Sequence, residues 1–430
     1  MYTLTGKYTS ALITIDDLEE EAVAQVTKLI NQDIFDNKLA IMPDGHAGAG
    51  CVVGTTVPLG KRIVPNIVGV DIGCGILTTK IPQVLGINLE SLDQRIKETV
   101  PMGFKTHESR QLHMEKDFPW AMAKIQIDKF AKSFNVKPPD TVDYRWFVGR
   151  CNKMGINLAQ VSKALGTLGG GNHFIEIGTD SNNDKWLTVH TGSRNMGLKI
   201  ANYHQKQAEK ILKQRRESVV KQKLEKERAS GLEPRFISAW LKQEYAKIPV
   251  TTKGLEYLED ENAAEYFWDM IIAQIYAWKN RRQIVAQIMN ILAVADTTKY
   301  EYIESVHNYI DFSDGIVRKG AIRSYKGEKM IIPFNMRDGI LICEGKSNED
   351  WNFSSPHGAG RTLSRRAARE QLNLETFKAE MENIVSSSVC ESTLDESPEA
   401  YKSADMIKKA IGPTATIIDT IKPILNIKAT

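Results

Sequence analysis

Val70-Asp71-Ile72-Gly73-Cys74-Gly75 is the stretch on which the reading of this chain turns. It stands near the end of a segment, Leu39 to Lys80, in which glycine is dense and short apolar runs alternate with it. That pattern predicts strands joined by tight turns, with backbone approaching something that side chains would exclude. Upstream, Ala11-Leu12-Ile13-Thr14-Ile15 is β-like, and Asp16, with Glu19 three residues on, forms a capping box for a short helix. Downstream, residues 87–165 are mostly helical by period, and residues 166–197 return to glycine-rich strands and loops. Residues 261–293 read as a buried amphipathic helix, 300–360 as β-rich, 362–386 as one helix, and Pro423-Ile424-Leu425-Asn426-Ile427 as a closing strand. The fold class expected is α+β, a mixed β-sheet core surrounded by helices.

From about Asn202 to Leu258 the character changes. Residues 206–228 hold nine Lys or Arg against four Glu, with a thin stripe of Ile211, Leu212, Val219, Val220 and Leu224. That predicts a long solvated helical arm, broken near Gly231 and Pro234 and resuming as a second helix. With no internal repeat or low-complexity linker, the arm (202–258) is expected to be an insertion in one continuous unit spanning residues 1–430.

Composition sets bounds. The 430 residues are 42% hydrophobic and 25% charged, a soluble globular mix. The net charge of +3 does not by itself indicate a nucleic-acid partner, so any basic groove must be local. Five scattered cysteines form no C-x-x-C pair, which argues against a disulfide framework or a zinc ribbon. No apolar run approaches a membrane span and the first residues carry no apolar signal core, so a cytoplasmic location is expected.

Four further segments carry chemistry like that of Asp71 and Cys74, a carboxylate and a thiol that could share one cation. In Leu168-Gly169-Gly170-Gly171-Asn172-His173-Phe174-Ile175-Glu176, three glycines expose amides able to cradle a phosphate, and His173 and Asn172 take opposite faces of a strand. The apolar strand Trp186–Val189 delivers His190 into a turn with Arg194, a metal ligand beside an anion-binding cation. Val306-His307-Asn308-Tyr309 repeats the apolar approach to a histidine. In Ser354-Ser355-Pro356-His357-Gly358-Ala359-Gly360-Arg361, a histidine sits in a small-residue loop at a helix start, with Arg361 and Arg365 one turn apart. Each has a bland counterpart: a structural cysteine, a satisfied core histidine, a surface arginine, a capped helix. Together, one Asp, one Cys and three or four His on strand ends make a ligand set for a borderline transition metal. Imidazole and carboxylate suit manganese, and the thiolate widens the choice to zinc, cobalt or iron. His107, His113 and His204 read as solvated.

The strings D-I-G-C-G, G-N-H-F, H-T-G-S-R, H-N-Y and H-G-A-G-R, in this order, resemble the RtcB family of RNA ligases. The resemblance runs from Met42-Pro43-Asp44-Gly45-His46 to Lys428, outside the arm, and takes in Tyr276-Ala277-Trp278-Lys279-Asn280-Arg281 and Arg318-Lys319-Gly320-Ala321. It implies an RtcB-like core and a GTP-dependent RNA ligase. His357 would attack the α-phosphate of GTP and carry a guanylate. That guanylate would pass to an RNA 3′-phosphate, and a 5′-hydroxyl would then displace GMP. A 2′,3′-cyclic phosphate would first be opened. The metal positions fall on Asp71, Cys74, His173, His190 and His307, with two manganese ions and Cys74 as their bridge. Nucleotide-binding positions fall on Asn172, His173, Phe174, Ile175, Glu176, His307, Asn308, Pro333, Phe334, Asn335, Met336 and Ile340. They continue through His357, Gly358, Ala359, Gly360, Tyr401 and Lys428. Arg194, Lys319, Arg361 and Arg365 fall where RNA phosphates would lie. One departure is Phe334-Asn335-Met336-Arg337, where many members read G-S-M-G. The implied partners are GTP and broken or spliced tRNA-like RNA ends, with no membrane. An activating protein partner, and a monomeric or dimeric state, stay open. The readings that compete are a dinuclear metal-dependent phosphoesterase and a nucleotide or RNA-end binding protein.

Overall fold

The structure is a computed structural model that describes residues 1–82, 88–248, 250–294 and 300–430. The expected helical stretch from residue 87 and the expected arm each include one residue outside these, 87 and 249.

The fold is α+β, and among the described residues two large sheets carry it. In one, the order is Tyr2–Thr5, Ser10–Ile13, Leu39–His46, Val53–Pro58, Ile316–Lys319, Asn308–Asp311. Its parallel pair, Ser10–Ile13 beside Leu39–His46, is joined through the helix Glu20–Ile30, the crossover that parallel strands require. The other runs Tyr302–Val306, Gly75–Ile81, Lys185–Thr191, Phe174–Thr179, Ala415–Ile427, Ile340–Gly345, Lys329–Pro333, with antiparallel neighbours. Its central strands are rich in Ile, Thr, Val, Trp and Phe, which fit a pleated, two-sided buried surface. Leu77, Ile175, Ile177, Leu187 and Val189 pack there against Ile284, Val285 and Ile288 of the helix Asp260–Ile291. That helix is apolar over most of its circumference and is accordingly buried along most of its length. Each such side chain contributes roughly 1.5–3 kcal/mol by leaving water.

Five local expectations are corrected. Asp16 caps no helix: the helix begins at Glu20, Asp16 pairs with the Met1 amine, and Glu19 reaches the Ala47 amide. The stretch 362–386 is not one helix but Arg365–Gln371 and Leu374–Glu380, because Asn373 accepts from the amide of Glu375 at 2.7 Å and starts the second. The arm is a helix, Arg194–Ala229, followed after a break by Ile237–Lys247. It starts eight residues before Asn202, and one face of its first third is buried. His204 is therefore not solvated: it lies 2.7 Å from Asp269, which also holds Arg150. His107 also departs from its solvated reading, lying outside any helix and half-buried, 3.2 Å from the Gly166 carbonyl, whereas His113 is exposed. Among the described residues no helix is long and apolar enough to cross a membrane.

Candidate active site

The histidines and Cys74 meet because each sits at a strand end. Cys74 precedes Gly75–Ile81, His173 precedes Phe174–Thr179, and His190 is next to last in Lys185–Thr191. His307 is the single residue between Tyr302–Val306 and Asn308–Asp311, so it links the two sheets. Register completes the convergence: Gly75 pairs with both Thr191 and Val306, and Phe174 pairs with His190. Asp71 comes in from the preceding turn, and a Cβ at Gly192 would overlap its carboxylate, which explains the glycine in H-T-G-S-R. Two buried polar residues of the long helix hold these loops. Arg281 donates to the carbonyls of Gly73 at 2.7 Å and Thr191 at 3.0 Å, and Asn280 to those of Thr167 and Gly192 at 3.1 and 3.2 Å.

Cys74, His173 and His190 offer ligand atoms within 4.8 Å of one another. The Cys74 Sγ lies 3.4 Å from His173 Nε2 and 3.2 Å from His190 Nε2. On one side Asp71 Oδ2 is 2.9 Å from His173 Nε2; on the other, His307 Nε2 is 3.2 Å from His190 Nε2. His173 Nδ1 and His190 Nδ1 donate to the carbonyls of Leu168 and Asn172 at 2.8 and 3.1 Å. With those protons on Nδ1, the Nε2 lone pairs converge on a thiol and a carboxylate. Such an arrangement calls for a shared proton or a shared cation. His307 Nδ1 has no hydrogen-bond partner, so its tautomer is not fixed. Burial, then the neighbouring imidazoles, hold the pKa of His190 well below the ordinary value, and burial with His357 does the same at His307, so both imidazoles are neutral. Burial, then Asp71, pushes the Cys74 thiol well up, so a cation must displace its proton. Burial would raise Asp71, but the hydrogen bond and charge of His173, with Cys74 and Arg194, together outweigh it and hold the carboxyl below its usual range. The cluster fits a metal.

A cavity of about 460 Å³ opens beside it. His357 lies on its wall, with its ring centre 4.8 Å from that of His307. Its Nδ1 and backbone N–H both donate to Asp44 Oδ2, at 2.6 and 3.2 Å, and Asp44 is fully buried. His357 follows the strand Ser354–Pro356, and the next helix starts only at Arg365. The expected helix dipole is therefore not what holds an anion here, and Arg361 lies outside the helix that carries Arg365. Gly360, at φ +73°, is needed because a Cβ would overlap the Asp44 carbonyl.

At the cavity's inner end Glu176 sits almost wholly buried, one oxygen bonded to Asn426 Nδ2 at 2.7 Å and the other without a partner. Burial pushes its carboxyl up to about 8, against the lowering by Asn426 and Lys428. Lys428 pairs with Glu396 at 2.8 Å, and Tyr401 donates to the same carboxylate at 2.7 Å. Burial would raise Glu396, but Lys428 and Arg365 hold it at about 2.

Most of the expected nucleotide positions line this cavity: Asn172, Phe174, Glu176, His307 and Asn308; Pro333 to Met336; His357 to Gly360; Tyr401 and Lys428. Ile175 and Ile340 do not; both point into apolar cores. His173 belongs to the metal cluster and to a second cavity. Asn335 spends its oxygen on the amides of Arg337 and Asp338, and the charge of Arg337 is met by Asp338 and Glu380. Of the expected phosphate cations, Lys319, Arg361 and Arg365 line the first cavity and Arg194 the second. Arg361 and Arg365 are paired with Glu396, and Arg365 also with Asp395; Lys319 donates to the carbonyls of Ala49 and Asn66. Asp44, Asn280, Arg281, Glu396 and Asn426 are the residues that sequence reading did not single out. Asn280 and Arg281 carried a signal, their place in the Tyr276–Arg281 string that the family resemblance takes in.

The model of the tRNA-splicing ligase RtcB family matches residues 25–429. The chain belongs to the RtcB family. It is 28% identical over 428 residues to the RNA-splicing ligase RtcB of Escherichia coli K12, covering 96% of this chain and 95% of that protein. It is 25% identical over 452 residues to the tRNA-splicing ligase RtcB of Nanoarchaeum equitans, covering 91% and 88%. An RNA-splicing ligase RtcB of Mycobacterium bovis is 24% identical over 436 residues, covering 86% and 91%. The RtcB match contains every residue of the Cys–His cluster and of the cavity beside it, from Asp44 to Lys428.

Proposed function

We propose that this chain is a GTP- and manganese-dependent RNA ligase that joins 3′-phosphate or 2′,3′-cyclic phosphate ends to 5′-hydroxyl ends. The observation that carries the proposal is the setting of His357. Asp44 accepts a hydrogen bond from its Nδ1–H, which leaves the Nε2 lone pair as the free nucleophile on the wall of a cavity whose inner end suits guanine. The unpartnered Glu176 oxygen can accept from the guanine N1–H and N2–H, and Lys428 can donate to its carbonyl oxygen.

His357 Nε2 attacks the α-phosphorus of GTP, a P–N bond forms and pyrophosphate leaves. An oxygen of the RNA 3′-phosphate displaces the imidazole and leaves the RNA capped by a 3′–5′ diphosphate to guanosine. The RNA 5′-hydroxyl loses its proton, attacks the RNA phosphorus and expels GMP. A cyclic phosphate reacts first with water to give the 3′-phosphate. Asp71, Cys74, His173, His190 and His307 would hold two Mn²⁺ ions, with the Cys74 thiolate between the Asp71–His173 and His190–His307 pairs. When bound, the metal supplies charge neutralisation for the phosphates and stabilises attacking and leaving oxygens. Arg194, Lys319, Arg361 and Arg365 would meet RNA phosphates, the last two by exchanging carboxylate partners for phosphate. The unit spans 1–430, with the helical arm 202–258 as an insertion.

Incubation with GTP labelled at the α-phosphorus and Mn²⁺ tests this reading. A ligase forms an acid-labile protein guanylate, which a phosphoesterase or a binding protein does not.

A further inference from the structure

The metal cluster has a second approach. Val70 and Asp71 line both the nucleotide cavity and a neighbouring one of about 610 Å³. His190, His307 and His357 line only the first; His173 and Arg194 line only the second. A strand entering the second cavity would thus reach the cluster at Asp71 and His173 while a nucleotide occupied the first.

The second cavity is built for a nucleotide. The Arg194 guanidinium donates to Thr167 Oγ1 at 2.9 Å and to the Gly103 carbonyl at 2.8 Å. Both acceptors are neutral, unlike the carboxylates that meet Arg361 and Arg365, so Arg194 keeps its positive charge for a ligand. Phe104 follows the glycine whose carbonyl holds Arg194, and its side chain is fully exposed at the rim. No aromatic ring or cation of the described residues stacks on it. Leu198, one helical turn beyond Arg194, is also exposed. Asn157 and Gln160 add amide edges, and Lys199 a second cation. A free aromatic face beside an anion-seeking guanidinium and amide groups is what an unpaired nucleotide needs: stacking for the base, charge for the phosphate.

We propose that Phe104, at the rim of this cavity, stacks a nucleobase within the first few nucleotides of a single-stranded RNA terminus, beside the phosphate that Arg194 would meet. The proposal rests on the RNA-ligase reading. A base-paired end would not serve, since its bases are already stacked. Phe104 touches substrate far from the transferred phosphorus, so its contribution lies in binding.

Affinity for short single-stranded RNAs tests it, measured on the whole protein by fluorescence anisotropy without GTP. One probe series carries a 3′-phosphate and the other a 5′-hydroxyl, each with an abasic nucleotide at the first, second or third position from that end. Phe104→Ala should weaken binding of the intact RNA by about 5- to 150-fold, and Phe104→Trp should restore it. In one series, one abasic position should cost the unmodified protein a similar factor and cost Phe104→Ala nothing more. Phe104→Ala binding within about twofold of the unmodified protein overturns the proposal, because stacking is worth at least fivefold. So does a loss that is the same on intact and on every abasic RNA, the result if a protein rather than a base sits on Phe104. An unchanged unfolding midpoint checks that the variant is folded. Failure of the unmodified protein to take label from GTP counts against the ligase reading; labelling with RNA binding indifferent to Phe104 counts against this subsite alone.

Discussion

Asp44→Asn isolates the orientation of His357, because it changes one atom and leaves the volume alone. In the structure Asp44 Oδ2 accepts from both His357 Nδ1 and the His357 backbone N–H, at 2.6 and 3.2 Å, inside a fully buried pocket. If the new amide keeps its oxygen towards His357, the imidazole stays oriented but a charge-assisted hydrogen bond becomes a neutral one. The loss of roughly 1.5–3 kcal/mol corresponds to about 10- to 150-fold. If the amide turns its NH₂ towards Nδ1, the ring proton moves to Nε2 and the attacking lone pair is gone. In Ser-His-Asp triads, Asp-to-Asn exchange costs roughly 10⁴ in rate by this route. The backbone N–H of His357 favours the first geometry, so the single-turnover rate of guanylate capture should fall by roughly 10- to 150-fold, and a fall near 10⁴ would mark the turned amide. The assay is covalent label taken from GTP at saturating Mn²⁺, with metal content measured on the same sample. Capture within about twofold of the unmodified protein would show that Asp44 does not set the His357 tautomer, since even the neutral bond predicts tenfold.

Cys74→Ala should lower bound manganese and guanylate capture together, because Sγ is the atom between both ligand pairs; normal metal content would return Cys74 to a structural role. Lys428→Ala should cut the GTP-over-ATP preference by roughly 10- to 100-fold, the value of one hydrogen bond from a charged donor that adenine's amino group cannot accept. An unchanged ratio would leave Lys428 as no more than the counter-ion of Glu396. Glu176 carries a proton below about pH 8, and the ionised form is the one that accepts from guanine. GMP affinity should therefore fall as pH drops below 8, approaching tenfold per unit, and Glu176→Gln should be flat over the same range by isothermal titration.

What the sequence made legible was local. Asp71, Cys74, His173, His190 and His307 each stood in a short string with glycines, and strand ends are where such strings place a side chain. The burial of the helix at 260–291 was legible from its apolar content. Contacts between distant segments were not. Asp44 lies 313 residues from His357, in a string that carried no visible chemistry of its own. His204 looked solvated among lysines and glutamates, because Asp269, its partner, comes from another helix. Arg361 and Arg365 looked like one free cationic face, but Ser364 caps the helix after Arg361, and Asp395 and Glu396 neutralise both. Capping boxes fail as local rules when a side chain has a tertiary partner, as Glu19 does at Ala47.

The central claim, that His357 is the group that carries the nucleotide, is tested most directly by locating the adduct. After incubation with GTP and Mn²⁺, neutral digestion and mass spectrometry should find one acid-labile guanylate on the peptide containing His357, and none in His357→Ala. A guanylate on a lysine or another histidine, full labelling of His357→Ala, or hydrolysis of GTP with no adduct would contradict the account.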